Sequence, residues 1–134
     1  MITNRSMPSG DIIPEIPYAN VIEAADWLCH AFGFKKRLQI ANHRVQLTFG
    51  SNSLIAIEKR GLADTFASIM LHVENVDRHF EHAKTAGARV IEPPADHPFG
   101  ERQCVVEDPG GNRWTFSQSI ADVDPACWGG ILFE

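Results

Sequence analysis

The fold of this chain is decided by two stretches of similar pattern, NVIEAADWLCHAFG (residues 20–33) and NVDRHFEHAKTAG (residues 75–87). Each begins with Asn-Val, and an asparagine side chain is a favoured acceptor for the free amides at a helix start. Each ends with glycine, which adopts the left-handed conformation common after a helix. Apolar residues between these ends recur at helical spacing and predict one buried stripe per helix. The predicted stripes are Val21, Ala24, Ala25, Leu28 and Phe32 in the first helix, and Val76, Phe80 and Ala83 in the second.

Strand-like segments surround the two helices in the same order. Short apolar or alternating runs between turn formers predict strands at 12–18, 35–40, 45–49, 54–59, 67–73, 89–92, 103–108 and 112–118. The Asp-Pro-Gly-Gly-Asn run at 108–112 predicts the turn between the last two strands. Pro14 and Pro17 place the first strand at a sheet edge or an interface, because proline donates no ladder hydrogen bond. The predicted order is therefore β-α-β-β-β, twice.

This internal repeat predicts a single domain over residues 1–134, with modules at about 11–60 and 66–119 and a tail at 120–134. Each module leaves one face of its sheet uncovered until it pairs with the other module. The predicted fold class is α+β, with two βαβββ modules pairing into a curved, mostly antiparallel sheet cup. Trp128 is too apolar to expect in free solvent, so we expect the tail to pack on the domain or on a second subunit.

Composition disfavours several other classes of protein. The chain is 44% hydrophobic and has a formal net charge of −5, whereas binding to nucleic acid needs clustered basic groups. No run approaches the roughly 18 apolar residues of a membrane span, and the polar start shows no secretory signal. Three cysteines without CxxC spacing disfavour a disulfide framework or a structural zinc site, so a reducing cytoplasm is the expected location. Neither nucleic acid nor a membrane is an expected partner.

Four short motifs are specific as a set, although each alone is weak. They are Ala25-Asp26-Trp27-Leu28, Ala31-Phe32-Gly33-Phe34, Phe99-Gly100-Glu101-Arg102 and Asp108-Pro109-Gly110-Gly111-Asn112-Arg113-Trp114. From about residue 12 to residue 118, the chain resembles the glyoxalase / bleomycin-resistance / dioxygenase group, the vicinal-oxygen-chelate superfamily. The resemblance implies paired βαβββ modules, a cup-shaped cavity and a homodimer. Its members include metal-dependent enzymes and proteins that sequester antibiotics without chemistry, and the fold alone does not choose between them.

The resemblance also implies where a catalytic member would hold its metal. In such members His, Gln or Glu side chains from four strands, two per module, bind a divalent ion. Counting from the repeated caps and turns puts these positions at Ile13, Ile55, Ser68 and Thr115. Isoleucine has no atom that binds a metal, and neutral hydroxyl groups bind weakly. We therefore expect no metal cofactor, while a displaced divalent site is left open.

Glu15 and His72 are the candidates for a rearranged catalytic site. Strand alternation predicts that Glu15 in the first module and His72 in the second both face the cup. A carboxylate beside an imidazole is able to act as an acid–base pair near neutral pH. The alternative is that both side chains lie near the rim and hold each other or backbone groups.

The expected ligand-binding residues come from the predicted cup surface and its loop. They are Ile13, Ile55, Ser68, Met70, His72, Phe99, Arg102 and Thr115. Phe99 lies in a loop that could close over an apolar ligand, and a plain turn is an equally good interpretation. Arg102, together with Glu101, is alternatively an anchor for that loop.

Other chemically notable residues receive structural interpretations or stay open. His79 and His82 have the i, i+3 spacing of a metal pair, but a solvated helix face is the preferred interpretation. Cys104 is expected to be a small buried strand residue without an activated thiolate. The alternating polar residues within 44–48 face either the cup or solvent.

These observations lead to two functional hypotheses. The first is a metal-independent protein that sequesters a small organic molecule in an apolar cup. The second is a lyase, isomerase or dioxygenase of the same superfamily that uses Glu15 and His72. The sequence does not identify the ligand.

Overall fold

The structure is a computed structural model, and it describes residues 3–59 and 66–132. The chain divides into two compact units, Met1–Ala67 and Ser68–Glu134. Within the described ranges, neither helix has the length and apolar character needed to cross a membrane.

The first unit has the predicted β-α-β-β-β order. Its elements are β1 (Glu15–Tyr18), α1 (Val21–Phe32), β2 (Lys35–Ile40), β3 (Arg44–Phe49) and β4 (Asn52–Glu58). The sheet order is β1-β4-β3-β2, with β1 parallel to β4 and the other pairs antiparallel. Strand β1 is thus an edge strand, as its prolines predicted.

The second unit repeats that order. Its elements are β5 (Ser68–His72), α2 (Val76–Thr85), β6 (Arg89–Asp96), β7 (Glu101–Glu107) and β8 (Arg113–Ser119), followed by a short 3₁₀ helix at Pro125–Trp128. The sheet order is β5-β8-β7-β6, with β5 parallel to β8 and the other pairs antiparallel. The α+β class and the two βαβββ modules are therefore confirmed.

Both helix starts confirm the predicted caps. The Asn20 carboxamide oxygen accepts from the Glu23 amide, and that of Asn75 accepts from the Arg78 amide, each at 3.0 Å. Gly33 has a φ of +85°, the left-handed conformation that ends α1. The predicted stripe of α2 is buried in full. In α1, Ala31 is buried in addition to the predicted residues, and Ala24 is only half-buried.

One face of each sheet packs against the helix of its own unit, and alternate residues lie on the opposite face. The buried helix-side residues are Ile16, Tyr18, Val45, Leu47, Leu54 and Ala56 in the first unit, and Cys104, Val106, Trp114 and Phe116 in the second. We call the opposite face of the first sheet the first free face; its ladder residues are Glu15, Pro17, Arg44, Gln46, Thr48, Ser53, Ile55 and Ile57. The second free face consists of Ser68, Met70, His72, Glu101, Gln103, Val105, Glu107, Arg113, Thr115, Ser117 and Ser119.

Two strand boundaries differ from prediction at prolines. Strand β1 begins at Glu15 rather than at residue 12. Strand β6 continues through Pro93 and Pro94 to Asp96, where a loop was predicted. An edge strand tolerates these prolines because one side needs no donors, and register shifts between β6 and β7 absorb the irregular pairing.

The turn between β7 and β8 is built around a buried carboxylate. Asp108, only 4% exposed, accepts from the backbone amides of Gly110 and Asn112, both at 2.9 Å. It also accepts from the indole nitrogen of Trp114 at 3.0 Å. The predicted turn is therefore confirmed, and it ties the loop to the core of the second unit.

Candidate functional site

Part of the first free face is covered by the N-terminal segment, residues 5–9. The Gln46 side-chain amide donates to the Ser6 carbonyl at 2.9 Å. The Ser9 and Ser53 hydroxyls are 3.4 Å apart. Gln46 is 3% exposed, so this polar residue of β3 faces protein rather than solvent. The sequence left open whether the polar residues of β3 face the cup or solvent. At Gln46 the side chain instead bonds to the N-terminal segment.

The other part of the first free face is a pocket of about 360 Å³. It is lined by Glu15, Pro17, His43, Arg44, Ile57 and Glu58. This volume is near the lower end of the range for small-molecule sites. Pro17 and Ile57 supply apolar surface, and the other lining residues supply polar or charged groups. The pocket can therefore hold an apolar group with polar substituents.

An ion pair stands at the side of this pocket. A guanidinium nitrogen of Arg44 lies 3.0 Å from a Glu15 carboxylate oxygen. About a third of the Arg44 side chain and half of the Glu15 side chain are exposed. Such a pair contributes about 1 kcal/mol or less, so opening it toward a charged ligand group costs little.

A hydrogen-bonded group of side chains lies on the second free face; we call it the Glu101 cluster. It consists of His72, Glu101, Gln103, Ser117 and Ser119. The Ser117 hydroxyl donates to Glu101 Oε1 at 2.7 Å, and the Gln103 amide donates to Ser117 Oγ at 3.0 Å. His72 Nε2 lies 3.1 Å from Ser119 Oγ and 3.9 Å from Glu101 Oε1. Three strands, β5, β7 and β8, thus bring polar groups together on one face.

Hydroxyl donors control the charge of Glu101. Hydrogen bonds from Ser119 and Ser117, in that order of effect, lower the pKa of this carboxyl group because they favour its ionised form. By contrast, burial raises the pKa of the Cys104 thiol to about 11. Cys104 is 1% exposed, which agrees with the prediction of a structural cysteine.

Glu15 and His72 each have a partner within their own unit. Glu15 pairs with Arg44, and His72 contacts Ser119 and Glu101. Among the described residues, the carboxylate within 4.0 Å of His72 Nε2 is that of Glu101, for which the sequence had suggested a loop anchor as an alternative role. A joint catalytic role for Glu15 and His72 stays a prediction.

Several predicted ligand contacts lie on the free faces. Ile55 on the first face is 2% exposed. Ser68 and Met70 on the second face are exposed, and Met70 pairs in the ladder with half-buried Thr115. Ile13, just before β1, is half-buried. Their contact with a ligand stays a prediction.

Phe99 is part of an aromatic stack with the tail. Its ring centroid lies 5.2 Å from that of His97 and 5.4 Å from that of Trp128. The tail therefore packs within its own unit at this point, one of the two placements expected. Trp128 nevertheless remains about half exposed.

Arg102 points to the helix side of the second sheet. Its guanidinium bonds to Asp77 at 2.9 Å and to Asp96 at 3.0 Å. These contacts join the start of α2, the end of β6 and β7. They match the loop-anchor alternative for Arg102, and its role as a ligand contact stays a prediction.

The four positions counted for the family's metal do not fit a divalent ion. Ile13 and Ile55 offer only hydrocarbon, while Ser68 and Thr115 offer neutral hydroxyl groups. Among residues 3–59 and 66–132, no group of three or more His, Cys, Asp or Glu side chains is arranged to hold a metal.

The expected solvated face of α2 is only partly correct. His82 is exposed, but His79 is half-buried and its ring lies 4.8 Å from that of Phe116. The helix packs closely enough on β8 to cover His79. His79 lies three residues after Val76 and four residues before Ala83, so helical spacing already places it beside the buried stripe.

The fold and faces described above define a duplicated βαβββ protein with candidate small-molecule sites. The model of the Glyoxalase/Bleomycin resistance protein/Dioxygenase superfamily matches residues 14–116. The chain therefore belongs to this superfamily.

Similar proteins of known sequence give a partial match. An uncharacterized protein of Mycobacterium bovis is 38% identical over 63 residues, which are 47% of this chain and 41% of that protein. An uncharacterized protein of Mycobacterium tuberculosis is also 38% identical over 63 residues, 47% of this chain and 37% of that protein. The match thus spans well under two thirds of the length of these relatives.

Solved structures match most of the chain. TioX from Micromonospora sp. ML1 has a TM-score of 0.74 and 27% identity, covering 83% of this chain and 99% of that one. TnmS3, an antibiotic binding protein from Streptomyces sp. CB03234, has a TM-score of 0.70 and 21% identity, covering 84% and 98%. Lactoylglutathione lyase from Agrobacterium tumefaciens has a TM-score of 0.68 and 16% identity, covering 83% and 94%. Binding proteins and enzymes thus both share this fold.

The sequence analysis missed the central role of Glu101 in its cluster. The signal was present in the alternation of β7, since Glu101 and Gln103 share one face. Recognising it required the register between β7 and β8, which pairs Glu101 with Ser119 and Gln103 with Ser117. A register change of one residue would turn these side chains to the helix side.

Proposed function

We propose that this chain binds and sequesters a small organic molecule, without chemical turnover and without the divalent metal of catalytic relatives. The observation that carries the proposal is the side-chain chemistry at the four counted positions, which are Ile13, Ile55, Ser68 and Thr115. An antibiotic binding protein among the similar structures supports the binding class.

The pocket of the first unit supplies a site for part of such a ligand. Its surface combines Pro17 and Ile57 with the exposed Glu15–Arg44 pair. An apolar group gains about 25 cal/mol for each Å² that it removes from water, while the charged groups orient its polar substituents. This division of labour is typical of small-molecule sites.

Binding is tested by quenching of tryptophan fluorescence with bleomycin and with the smaller aromatic probe 8-anilinonaphthalene-1-sulfonate. We expect saturable binding of at least one probe. Ile57→Arg should weaken binding of the smaller probe about tenfold or more, because it puts a charge into apolar surface. Ile131→Arg is the matched control, since Ile131 is 79% exposed and lies outside the pocket. Equal effects of both variants, or no saturation by either probe, would contradict the proposal.

The absence of a metal and of turnover needs two further measurements. Elemental analysis of protein purified without added metal should show no stoichiometric zinc, nickel, manganese or iron. Mass spectrometry of a probe recovered after incubation should show an unchanged mass. One equivalent of metal per chain would overturn the metal-independent part, and a changed mass would overturn sequestration.

A second candidate function is catalysis by a rearranged site that includes Glu15 and His72. The 3.9 Å distance between His72 Nε2 and a Glu101 oxygen supports a catalytic role for His72, because acid–base chemistry uses carboxylate–imidazole pairs. The part of Glu15 rests on strand alternation alone. If a probe is converted to a product, His72→Ala should abolish the conversion, while the probe should still bind to the variant. Conversion unchanged by His72→Ala would remove this residue from the mechanism.

The proposal includes a homodimer in the cytoplasm. The family resemblance supports the dimer, and the cysteine pattern supports a reducing compartment. Sedimentation equilibrium at micromolar concentration should give about twice the 14.9 kDa chain mass. A mass of one chain would contradict the dimer.

A further inference from the structure

The Glu101 cluster has a proton distribution that its contacts determine. The Gln103 amide donates to Ser117 Oγ, and Ser117 donates its single hydroxyl proton to Glu101. An ionised carboxylate only accepts, so the hydroxyl proton of Ser117 is committed to Glu101.

His72 and Ser119 complete the edge of this cluster. Ser119 Oγ lies 3.1 Å from His72 Nε2, and a hydroxyl group is able either to donate or to accept in this contact. The Glu101 carboxylate accepts from Ser117 and has capacity for further hydrogen bonds. The cluster therefore offers the Glu101 carboxylate as an acceptor.

Between residues 68 and 132, no Lys or Arg side chain forms an ion pair with Glu101. Among the described residues, the nitrogen within 4.0 Å of its carboxylate is that of His72, at 3.9 Å. Glu107, on the same face of the same strand, differs because Arg89 and Arg113 lie 3.8 Å and 4.0 Å from its oxygens. The Glu101 side chain is 21% exposed, so its charge is accessible but only partly screened by water.

From this arrangement we propose that the Glu101 cluster binds a protonated nitrogen group, an amine or an amidine, on the ligand of this chain. The inference rests on the proposed function and adds the chemical class of the ligand. A cationic N–H group meets an ionised carboxylate there, and charge-assisted hydrogen bonds are the strong ones. A ligand carboxylate meets the same acceptor and is repelled.

Three probes of matched shape test this preference by NMR titration of the whole chain: benzamidine, benzamide and benzoate. They differ in being cationic, neutral and anionic. We expect benzamidine to bind about tenfold more tightly than benzamide, the ratio expected for one charge-assisted contact. Benzoate should bind more weakly than benzamide. The largest amide shifts with benzamidine should occur at Ser117 and Ser119.

Two variants separate the cluster from general acidity. Glu101→Gln should reduce the preference for benzamidine over benzamide to about one, because the charge that distinguishes the two probes is removed. Glu107→Gln should retain the preference, because that carboxylate already has arginine partners. If Glu101→Gln fails to fold, the amide shifts of the unmodified chain with benzamidine still show whether the probe binds at the Glu101 cluster. Shifts confined to the pocket residues Glu15 and Glu58 would overturn the proposal.

Equal affinity for benzamidine and benzamide would overturn the ligand class, even where the fluorescent probes of the proposed function bind to the pocket.

Discussion

The first and second free faces belong to units of the same topology, yet their chemistry differs. On the first face, residues 5–9 cover Gln46, and the carboxylate of Glu15 has an arginine partner. On the second face, the carboxylate of Glu101 has hydroxyl partners. Because strand residues alternate between faces, the helix-side core can be kept while the free face changes. The two units thus share the packing of the sheet against the helix and differ in the chemistry of the opposite face.

The corresponding turns of the two units differ as well. In the second unit, the buried Asp108 organises the β7–β8 turn. In the first unit, the β3–β4 turn at Gly50 and Ser51 is exposed. The two units should therefore respond unequally to changes at matching positions.

The largest expected effect is on the buried turn. Asp108→Ala should lower the free energy of unfolding by about 3 kcal/mol, since it leaves buried donors of Asn112 and Trp114 without their acceptor. The matched change Ser51→Ala should cost about 0.5 kcal/mol or less. Urea denaturation followed by tryptophan fluorescence measures both. Similar costs at the two turns would break the comparison.

Cysteine reactivity compares the cores of the two units. At pH 8, Cys104, with its pKa raised to about 11, should be alkylated by iodoacetamide about 100-fold more slowly than exposed Cys127. Cys29 in the first unit should react at an intermediate rate, because partial burial also raises its pKa. Peptide mass spectrometry over time gives the three rates. Rapid labelling of Cys104 would show that the second core opens readily.

Two glycines with positive φ sharpen the comparison at loops. A Cβ at Gly100 would lie 2.4 Å from the Ala121 carbonyl oxygen, whereas one at Gly50 meets no atom within 4 Å. Gly100→Ala should cost about 2 kcal/mol, from left-handed strain together with the clash. Gly50→Ala should cost about 1 kcal/mol, from strain alone. Thermal unfolding of both variants measures these two losses of stability. A larger loss for Gly50→Ala than for Gly100→Ala would contradict the prediction.

The smallest expected effect is the pH dependence contributed by Glu101. Its pKa is lowered in the folded state, so its stabilising contribution is present above the ordinary glutamate pKa and is lost as pH falls through the folded value. Glu101→Gln should therefore lower the free energy of unfolding by about 1 kcal/mol or less at pH 7. Denaturation between pH 7 and pH 3 should show that the difference in free energy of unfolding between the unmodified chain and Glu101→Gln becomes smaller as the pH falls. A difference that stays constant with pH would mean that hydroxyl donation does not hold the Glu101 carboxylate ionised.

Local signals explain why most of the fold could be predicted. Asn20, Asn75 and Gly33 act through contacts within a few residues, so their roles are visible in the chain itself. The extent of β6 was missed because its prolines are tolerated only at a sheet edge, and edge position is a property of the assembled sheet.

The candidate sites could be predicted only in part. Strand alternation placed Glu15 and His72 away from the helices, as observed. It did not show that Arg44 would pair with Glu15, or that Glu101 would join His72. These contacts join residues on separate strands, so they depend on which strands are neighbours and in what register.

The sequence by itself determined the duplicated β-α-β-β-β order, because helix caps, turns and apolar spacing act over a few residues. It also determined that Ile13 and Ile55 cannot bind a metal, because that is a property of their side-chain chemistry. Only the tertiary structure decided that residues 5–9 cover Gln46 and that Glu101 becomes the centre of a polar cluster. The physical reason is that hydrogen bonds between distant segments exist only once sheet register has brought their atoms within about 3 Å.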